Sequence, residues 1–263
     1  MKARLAGAEI EYDVRGQGPP VLFLHAFPLG LFMWDAAVAA LERDHTVVRF
    51  DARGFGGSPP GDGPLTMERF ADDGALLLEH LGLGQAVVAG CSMGGYAAFA
   101  LVRRHPDRLR GIVLMTTRAK PDTPEGRSNR ALLAEKVLKE GPVAAADAFL
   151  PRLIGETTRR ERPDLVASIR ARILSNPPRG IANALLGMGG RADSTPTLRE
   201  IRVPTLVVGG AEDAFSPPAD VEALAHGIVG ARHVILSKSG HLPSLEAPEA
   251  LNAALREFLG ATA

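Results

Sequence analysis

The chain has one cysteine in 263 residues, no excess of either charge, and no apolar run long enough to span a membrane. Each shortage closes a class of explanation. With Cys91 alone there is no internal disulfide and no multi-cysteine metal site. His45, His80, His105, His226 and His233 are scattered without metal-ligand spacing, so no metal is expected. The 30 Lys and Arg balance 30 Asp and Glu, which leaves neither a nucleic-acid footprint nor a polybasic patch for a membrane surface. The longest uncharged run, Ala86 to Val102, falls short of the roughly 20 residues a spanning helix needs, and Gly90, Gly94 and Gly95 interrupt it. Met1 to Glu9 contains no apolar core of signal-peptide length, so the expectation is a cytoplasmic protein. Gly54-Phe55-Gly56-Gly57 lacks the lysine–serine pair of a phosphate loop, and no nucleotide is expected.

What is present is an ordinary soluble composition, 46% hydrophobic and 23% charged, on a chain long enough for one large α/β domain with an insertion. Ala3–Leu5 and Glu9–Arg15 flank a turn and read as a hairpin. A continuous apolar run at Pro20–His25 reads as a strand covered on both faces, and Thr46–Phe50, Gln85–Ala89 and Arg110–Met115 read as further strands. Helical stretches alternate with them at Trp34–Glu42, from Thr66 to Leu81 with Thr66 as N-cap, and from the Ser92 region to His105. The alternation predicts a doubly wound, mostly parallel sheet. Between Arg118 and Ile201 no strand is evident, only helical periodicity at Asn129–Lys139 and Arg162–Leu174. That stretch is too long for a plain connection. It reads as a helical cap, residues 118–201, inserted into a core of residues 1–117 and 202–263, over the sheet edge where open α/β sheets bind ligands. Strand–helix alternation resumes with Thr205–Gly209, Ala219–His226, His233–Leu236 and Pro248–Leu259.

The most informative segment is Gly90-Cys91-Ser92-Met93-Gly94, set between a β-branched run and an alanine-rich helical one. Strand, sharp turn and helix push the Ser92 hydroxyl out on a tight bend, and the glycines two before and two after it supply the room that bend needs. Asp213 lies just past the strand 205–209 and His241 just past the last strand, so both leave the same sheet edge as Ser92. A serine hydroxyl needs an imidazole to take its proton, and the imidazole needs a carboxylate to hold its tautomer. The order Ser, Asp, His is the one that accompanies a nucleophile elbow. Asp213 is preferred to the neighbouring Glu212, whose longer side chain favours solvent. Cys91 has no base beside it and reads as a buried structural thiol.

With these residues in place the chain resembles the α/β-hydrolase superfamily over essentially its whole length, in particular small bacterial serine esterases and 3-oxoadipate enol-lactonases. The superfamily resemblance rests on His25-Ala26-Phe27-Pro28, Asp51-Ala52-Arg53-Gly54-Phe55-Gly56-Gly57-Ser58, the elbow, the Asp213 loop and Ser239-Gly240-His241; the likeness to 3-oxoadipate enol-lactonases rests on Thr117–Glu125 and Asn176–Gly180. It implies Ser92 as nucleophile, Asp213 as acid, His241 as base, and an oxyanion hole made by the backbone N–H groups of Met93 and Phe27. It also implies a small ester or lactone as substrate and no cofactor. One departure stands out: the family has His-Gly before the oxyanion residue, and Ala26 replaces that glycine, with fewer backbone conformations open to it.

Other readings stay open on the same residues. The triad could serve carbon–carbon bond hydrolysis, a perhydrolase or haloperoxidase-type reaction, or a proton-abstracting lyase, because the cap shapes the pocket. A non-catalytic small-molecule sensor is a further alternative. A serine at the elbow argues against dehalogenase and epoxide-hydrolase chemistry, which use a carboxylate there. Trp34, Phe149 and Met188 are candidates for pocket lining, and Arg118, Lys120, Arg127 and Arg130 for binding a substrate carboxylate. Asp51 and Arg53 read as a structural ion pair or turn, and His25 as a hydrogen-bonding partner within the oxyanion loop.

Overall fold

A computed structural model describes residues 1–262. Eight strands form one sheet in the order β1-β2-β4-β3-β5-β6-β7-β8. They are β1 (Lys2–Leu5), β2 (Ala8–Arg15), β3 (Pro20–Leu24), β4 (Thr46–Phe50), β5 (Ala86–Cys91), β6 (Leu109–Met115), β7 (Thr205–Gly210) and β8 (Arg232–Leu236). The opening hairpin β1–β2 pairs antiparallel and joins β4 antiparallel; all pairings from β4 to β8 are parallel. The fold is that of a doubly wound α/β protein, as expected.

The parallel strands read as unbroken apolar runs because both of their faces are buried. Leu22 and Leu24 of β3, with Ala86 and Val88 of β5, point into one core cluster. Val21 and Phe23, with Val87, Ala89 and Cys91, point into the other. This is the two-residue period of a strand with a packed layer on each side. Helices α2 (Met67–His80) and α3 (Met93–Arg104) cover the first face. Helices α1 (Asp35–Leu41) and α11 (Pro248–Gly260) cover the second.

Thr66 caps α2 as expected, its hydroxyl accepting the Arg69 N–H at 3.1 Å. The inner face of α2 also carries a charge. Arg53 grips Asp73 with two bonds of 2.8 and 2.6 Å, and the Asp73 side chain is only 1% exposed. Arg53 is thus paired to Asp73 and not to Asp51. Removing one partner of a buried pair leaves the other charge uncompensated. Asp73→Ala is expected to cost about 3–5 kcal/mol of stability, read by urea denaturation at neutral pH.

Between β6 and β7 the chain makes five helices: α4 (Pro124–Glu140), α5 (Val143–Leu153), α6 (Glu156–Glu161), α7 (Pro163–Leu174) and α8 (Pro178–Gly189). Only α4 and α7 overlap the helices anticipated from periodicity. The rest of the chain adds α9 (Pro218–His226) and a short α10 (Pro243–Glu246). No described helix is long and apolar enough to cross a membrane.

The sheet order places the site. After β3 the chain adds β4 on one side, then returns to place β5 on the other. The carboxyl ends of β3 and β5 therefore lie side by side at a topological switch point, where open α/β sheets leave a crevice. Leu24 is opposite Gly90 in that register, so the loops starting at His25 and Ser92 emerge as neighbours.

Candidate active site

Ser92 sits between β5 and α3 with φ +53° and ψ −109°, a region side chains seldom occupy. The bend holds because its surroundings prescribe it. The Ser92 N–H donates to the Met115 carbonyl at 2.9 Å, and the Thr117 hydroxyl donates to the Ser92 carbonyl at 2.9 Å. The flanking glycines are needed for close approach rather than for unusual φ. A Cβ on Gly90 would run into the Gly94 carbonyl, and one on Gly94 into the Leu24 carbonyl. The elbow is thereby seated directly against the end of β3.

The structure brings the three predicted side chains together. His241 Nε2 lies 2.8 Å from Ser92 Oγ, and His241 Nδ1 lies 2.9 Å from both Asp213 carboxylate oxygens. The Asp213 side chain is wholly buried and that of His241 nearly so. Asp213 Oδ1 also accepts the Phe215 N–H at 2.8 Å, which holds the carboxylate in place. Glu212 is turned away: its carboxylate accepts the Thr157 N–H at 2.8 Å and the Thr157 hydroxyl at 2.5 Å.

The loop bearing His241 is fixed from several sides. The His241 N–H donates to Leu153 at the end of α5, at 3.1 Å. Its carbonyl accepts the Thr116 hydroxyl at 2.9 Å. Buried Glu246 accepts the amides of Leu242 and Gly155 at 2.9 and 2.8 Å. Neither Thr116 nor Glu246 stands out in the sequence, since a lone threonine or glutamate carries no pattern. Cys91 is fully buried, and burial pushes its thiol up to about 12. A thiol so far from ionising is no competing nucleophile.

The expected oxyanion donors flank the serine. Met93 opens α3, where first-turn amides have no carbonyl one turn back inside the helix. At the Ala26–Phe27 peptide the carbonyl accepts the Leu29 N–H at 2.9 Å and the His25 Nδ1–H at 3.0 Å. In a trans peptide the N–H points opposite to that carbonyl. His25 Nε2 accepts the Ala52 N–H at 2.9 Å, so Nδ1 carries the ring proton. Burial lowers the pKa of His25 and keeps it neutral in this role. Ala26 is absent from the positive-φ residues, so its backbone adopts no conformation that calls for glycine.

Ser92, His241 and Phe27 open onto a small, narrow cavity. One wall is aromatic. Phe149 meets Phe27 edge-on at 5.0 Å and stacks on Phe215 at 5.8 Å, and Phe215 lies 5.0 Å from the His241 ring. Elsewhere the lining includes Tyr96, Met188, Arg118 and Arg130, and among the described residues no Asp or Glu. Buried Asp122 bonds Arg130 and also Arg191, the latter at 2.7 Å. Burial alone would raise the Asp122 pKa, but the two guanidiniums outweigh it and hold the carboxyl below its usual range. Among the described residues Arg118 has no such partner, and its Nε is buried without a hydrogen bond. Of the sequence candidates, Phe149, Met188, Arg118 and Arg130 line the cavity, while Lys120 and Arg127 do not. Trp34 belongs to the core, 4.7 Å from Phe23. Phe215, Tyr96 and Leu153 are lining residues that sequence reasoning missed.

Residues 19–248 match the family model described as the alpha/beta hydrolase fold. An esterase from Thermogutta terrifontis, solved with malate bound, is 44% identical with a TM-score of 0.97, covering 100% of this chain and 98% of that one. An enol-lactonase from Burkholderia xenovorans is 33% identical with a TM-score of 0.92, covering 99% of this chain and 100% of that one. The 3-oxoadipate enol-lactonase 2 of Acinetobacter baylyi is 28% identical over 254 residues, 95% of this chain and 92% of its own. The fold, the elbow and these matches together place the chain in the α/β-hydrolase fold family, among hydrolytic enzymes.

Proposed function

We propose that the protein is a serine hydrolase that cleaves small carboxylic esters or lactones through an acyl-enzyme on Ser92. The observation that carries this reading is the continuous chain from Ser92 Oγ to His241 Nε2 at 2.8 Å and from Nδ1 to Asp213 at 2.9 Å. Asp213 holds the proton on Nδ1, which leaves Nε2 free to take the serine proton. Oγ then bonds to the substrate carbonyl carbon. The carbonyl oxygen gains the negative charge and is stabilised by the amides of Met93 and Phe27, each worth about 3–4 kcal/mol. His241 returns its proton to the departing alkoxide as the carbon–oxygen bond breaks. Water, deprotonated by the same imidazole, attacks the acyl carbon and releases Ser92. Every bond change is carried by side chains, amides and water. In this reading residues 118–201 act as the cap, supplying Arg118, Arg130, Phe149, Leu153 and Met188 to the cavity.

The cavity's size suits a small substrate. Its two guanidiniums, Arg118 and Arg130, of which only Arg130 is paired to a carboxylate that it shares with Arg191, favour an acyl portion that carries a negative charge. The test is incubation with a fluorophosphonate probe followed by peptide mapping, then a panel of short aryl esters and lactones. An adduct on Ser92 and faster turnover of short acyl chains, above all those ending in a carboxylate, are expected. Failure to take up the probe overturns the nucleophile; a preference for long neutral chains overturns the substrate class.

A further inference from the structure

Asn176 lies on the connection between α7 and α8, far along the chain from the elbow, and it is only 5% exposed. It does not line the cavity that holds Ser92. Its amide nevertheless joins the two loops that leave β3 and β4. Nδ2 donates to the Pro28 carbonyl at 2.9 Å and to the Arg172 carbonyl at 3.2 Å. Oδ1 accepts the Gly56 N–H at 3.0 Å. The partners settle which end is which, since the two carbonyls can only accept and the Gly56 amide can only donate.

Pro28 directly follows Phe27. Proline has no N–H, so its carbonyl is the one backbone group through which this residue can be tied down. The loop is otherwise held at its ends, by Leu29 N–H on the Ala26 carbonyl at 2.9 Å and by Leu31 N–H on Asp51 Oδ1 at 2.7 Å. Asp51 Oδ2 in turn accepts the Gly57 N–H at 3.0 Å. Asn176 closes the same two loops onto each other from the helical segment above them. An oxyanion donor works only if it is already aimed before charge develops, and a displacement of about 1 Å at such a group can cost 10²-fold.

We infer that Asn176 is a positioning residue for the oxyanion hole: through the Pro28 carbonyl it fixes the loop that presents the Phe27 amide. The inference rests on the proposed role of that amide. It also gives the helices between β6 and β7 a part in the chemical step besides shaping the cavity.

The test compares Asn176→Ala, which removes all three bonds, with Asn176→Asp, which keeps an acceptor for Gly56 but turns an oxygen toward two carbonyls. The substrate is a short aryl ester such as p-nitrophenyl acetate, and the second probe is an arylboronic acid, which forms a tetrahedral adduct on an active serine. Both variants are expected to lose about 10- to 100-fold in kcat with KM within about threefold. Boronic-acid affinity should fall in step. That last readout excludes a merely unfolded fraction, which lowers kcat but leaves affinity unchanged. Wild-type kcat or wild-type boronic-acid affinity in Asn176→Asp overturns the inference. Should Asn176→Ala not fold, Asn176→Ser carries the same readouts. If the wild-type enzyme itself shows no turnover that depends on Ser92, the nucleophile reading fails instead. Hydrogen exchange at residues 26–29 then still reports on Asn176: faster exchange in the variants supports its role, and unchanged exchange overturns it.

Discussion

Replacing Ser92 by alanine is expected to lower kcat by about 10⁵- to 10⁶-fold while KM changes little. The substitution removes only the oxygen that His241 faces at 2.8 Å. Alanine at φ +53° suffers the same backbone constraint as serine, and the bonds that hold the bend are made by the Ser92 N–H and carbonyl, which alanine keeps. The thermal midpoint should therefore stay near that of the parent. Phe27, Phe149, Phe215 and the guanidiniums remain, so substrate still binds. What survives is the rate that binding and the oxyanion amides can support without a nucleophile. Steady-state kinetics on a short aryl ester, with mass spectrometry of the probe-treated variant, provide the measurement. Residual activity within 100-fold of the parent, or an adduct elsewhere, would remove Ser92 from the proposed chemistry.

Asp213→Asn should be the next most damaging change, lowering kcat by about 10⁴-fold with the geometry nearly intact. The reason lies in which oxygen has other work. The Phe215 N–H needs an acceptor at Oδ1, 2.8 Å away. An asparagine that keeps this bond must place its NH₂ at the Oδ2 position, 2.9 Å from His241 Nδ1. Oδ1, equally close to Nδ1, is already shared with the Phe215 N–H, so the new NH₂ donor competes at Nδ1 and favours the tautomer with the proton on Nε2. An imidazole protonated on Nε2 cannot accept the serine proton. Glu212 offers no rescue, because both of its oxygens are bonded to Thr157. Kinetics and the phosphonylation rate of the variant check this. A loss smaller than about tenfold would show that another group orients His241.

Much of this molecule was legible in its sequence, and the reasons are local. Strands β3 to β7 are buried on both faces, so each shows as an apolar run that needs no partner to be recognised. The α2 boundary was legible because Thr66 binds its own helix three residues on. The helices between β6 and β7 were less so. Glycines at 180, 187 and 189 interrupt α8, and Pro177 and Pro178 stand at its start. In sequence such residues read as a loop rather than a helix. In α5 a proline lies inside the helix, which reads in sequence as a break. Asp51 and Arg53, close in sequence, were assigned to each other; Arg53 pairs with Asp73, and Asp51 serves the backbone of two loops.

The sequence by itself determined the parallel α/β core, the Ser92 bend, and the order of serine, aspartate and histidine along one sheet edge. These follow from burial pattern and backbone sterics over short stretches. Only the tertiary structure decided what Glu212 binds instead of the imidazole, that Arg118 has no acidic partner among the described residues, and that Asn176 reaches the loop carrying Phe27. Each of those depends on side chains dozens of residues apart coming within about 3 Å, the reach of a hydrogen bond. That convergence is set by how the sheet crosses over between β4 and β5 and how five helices pack above it. No local pattern encodes such a distance, because it is the sum of every packing contact between the two ends.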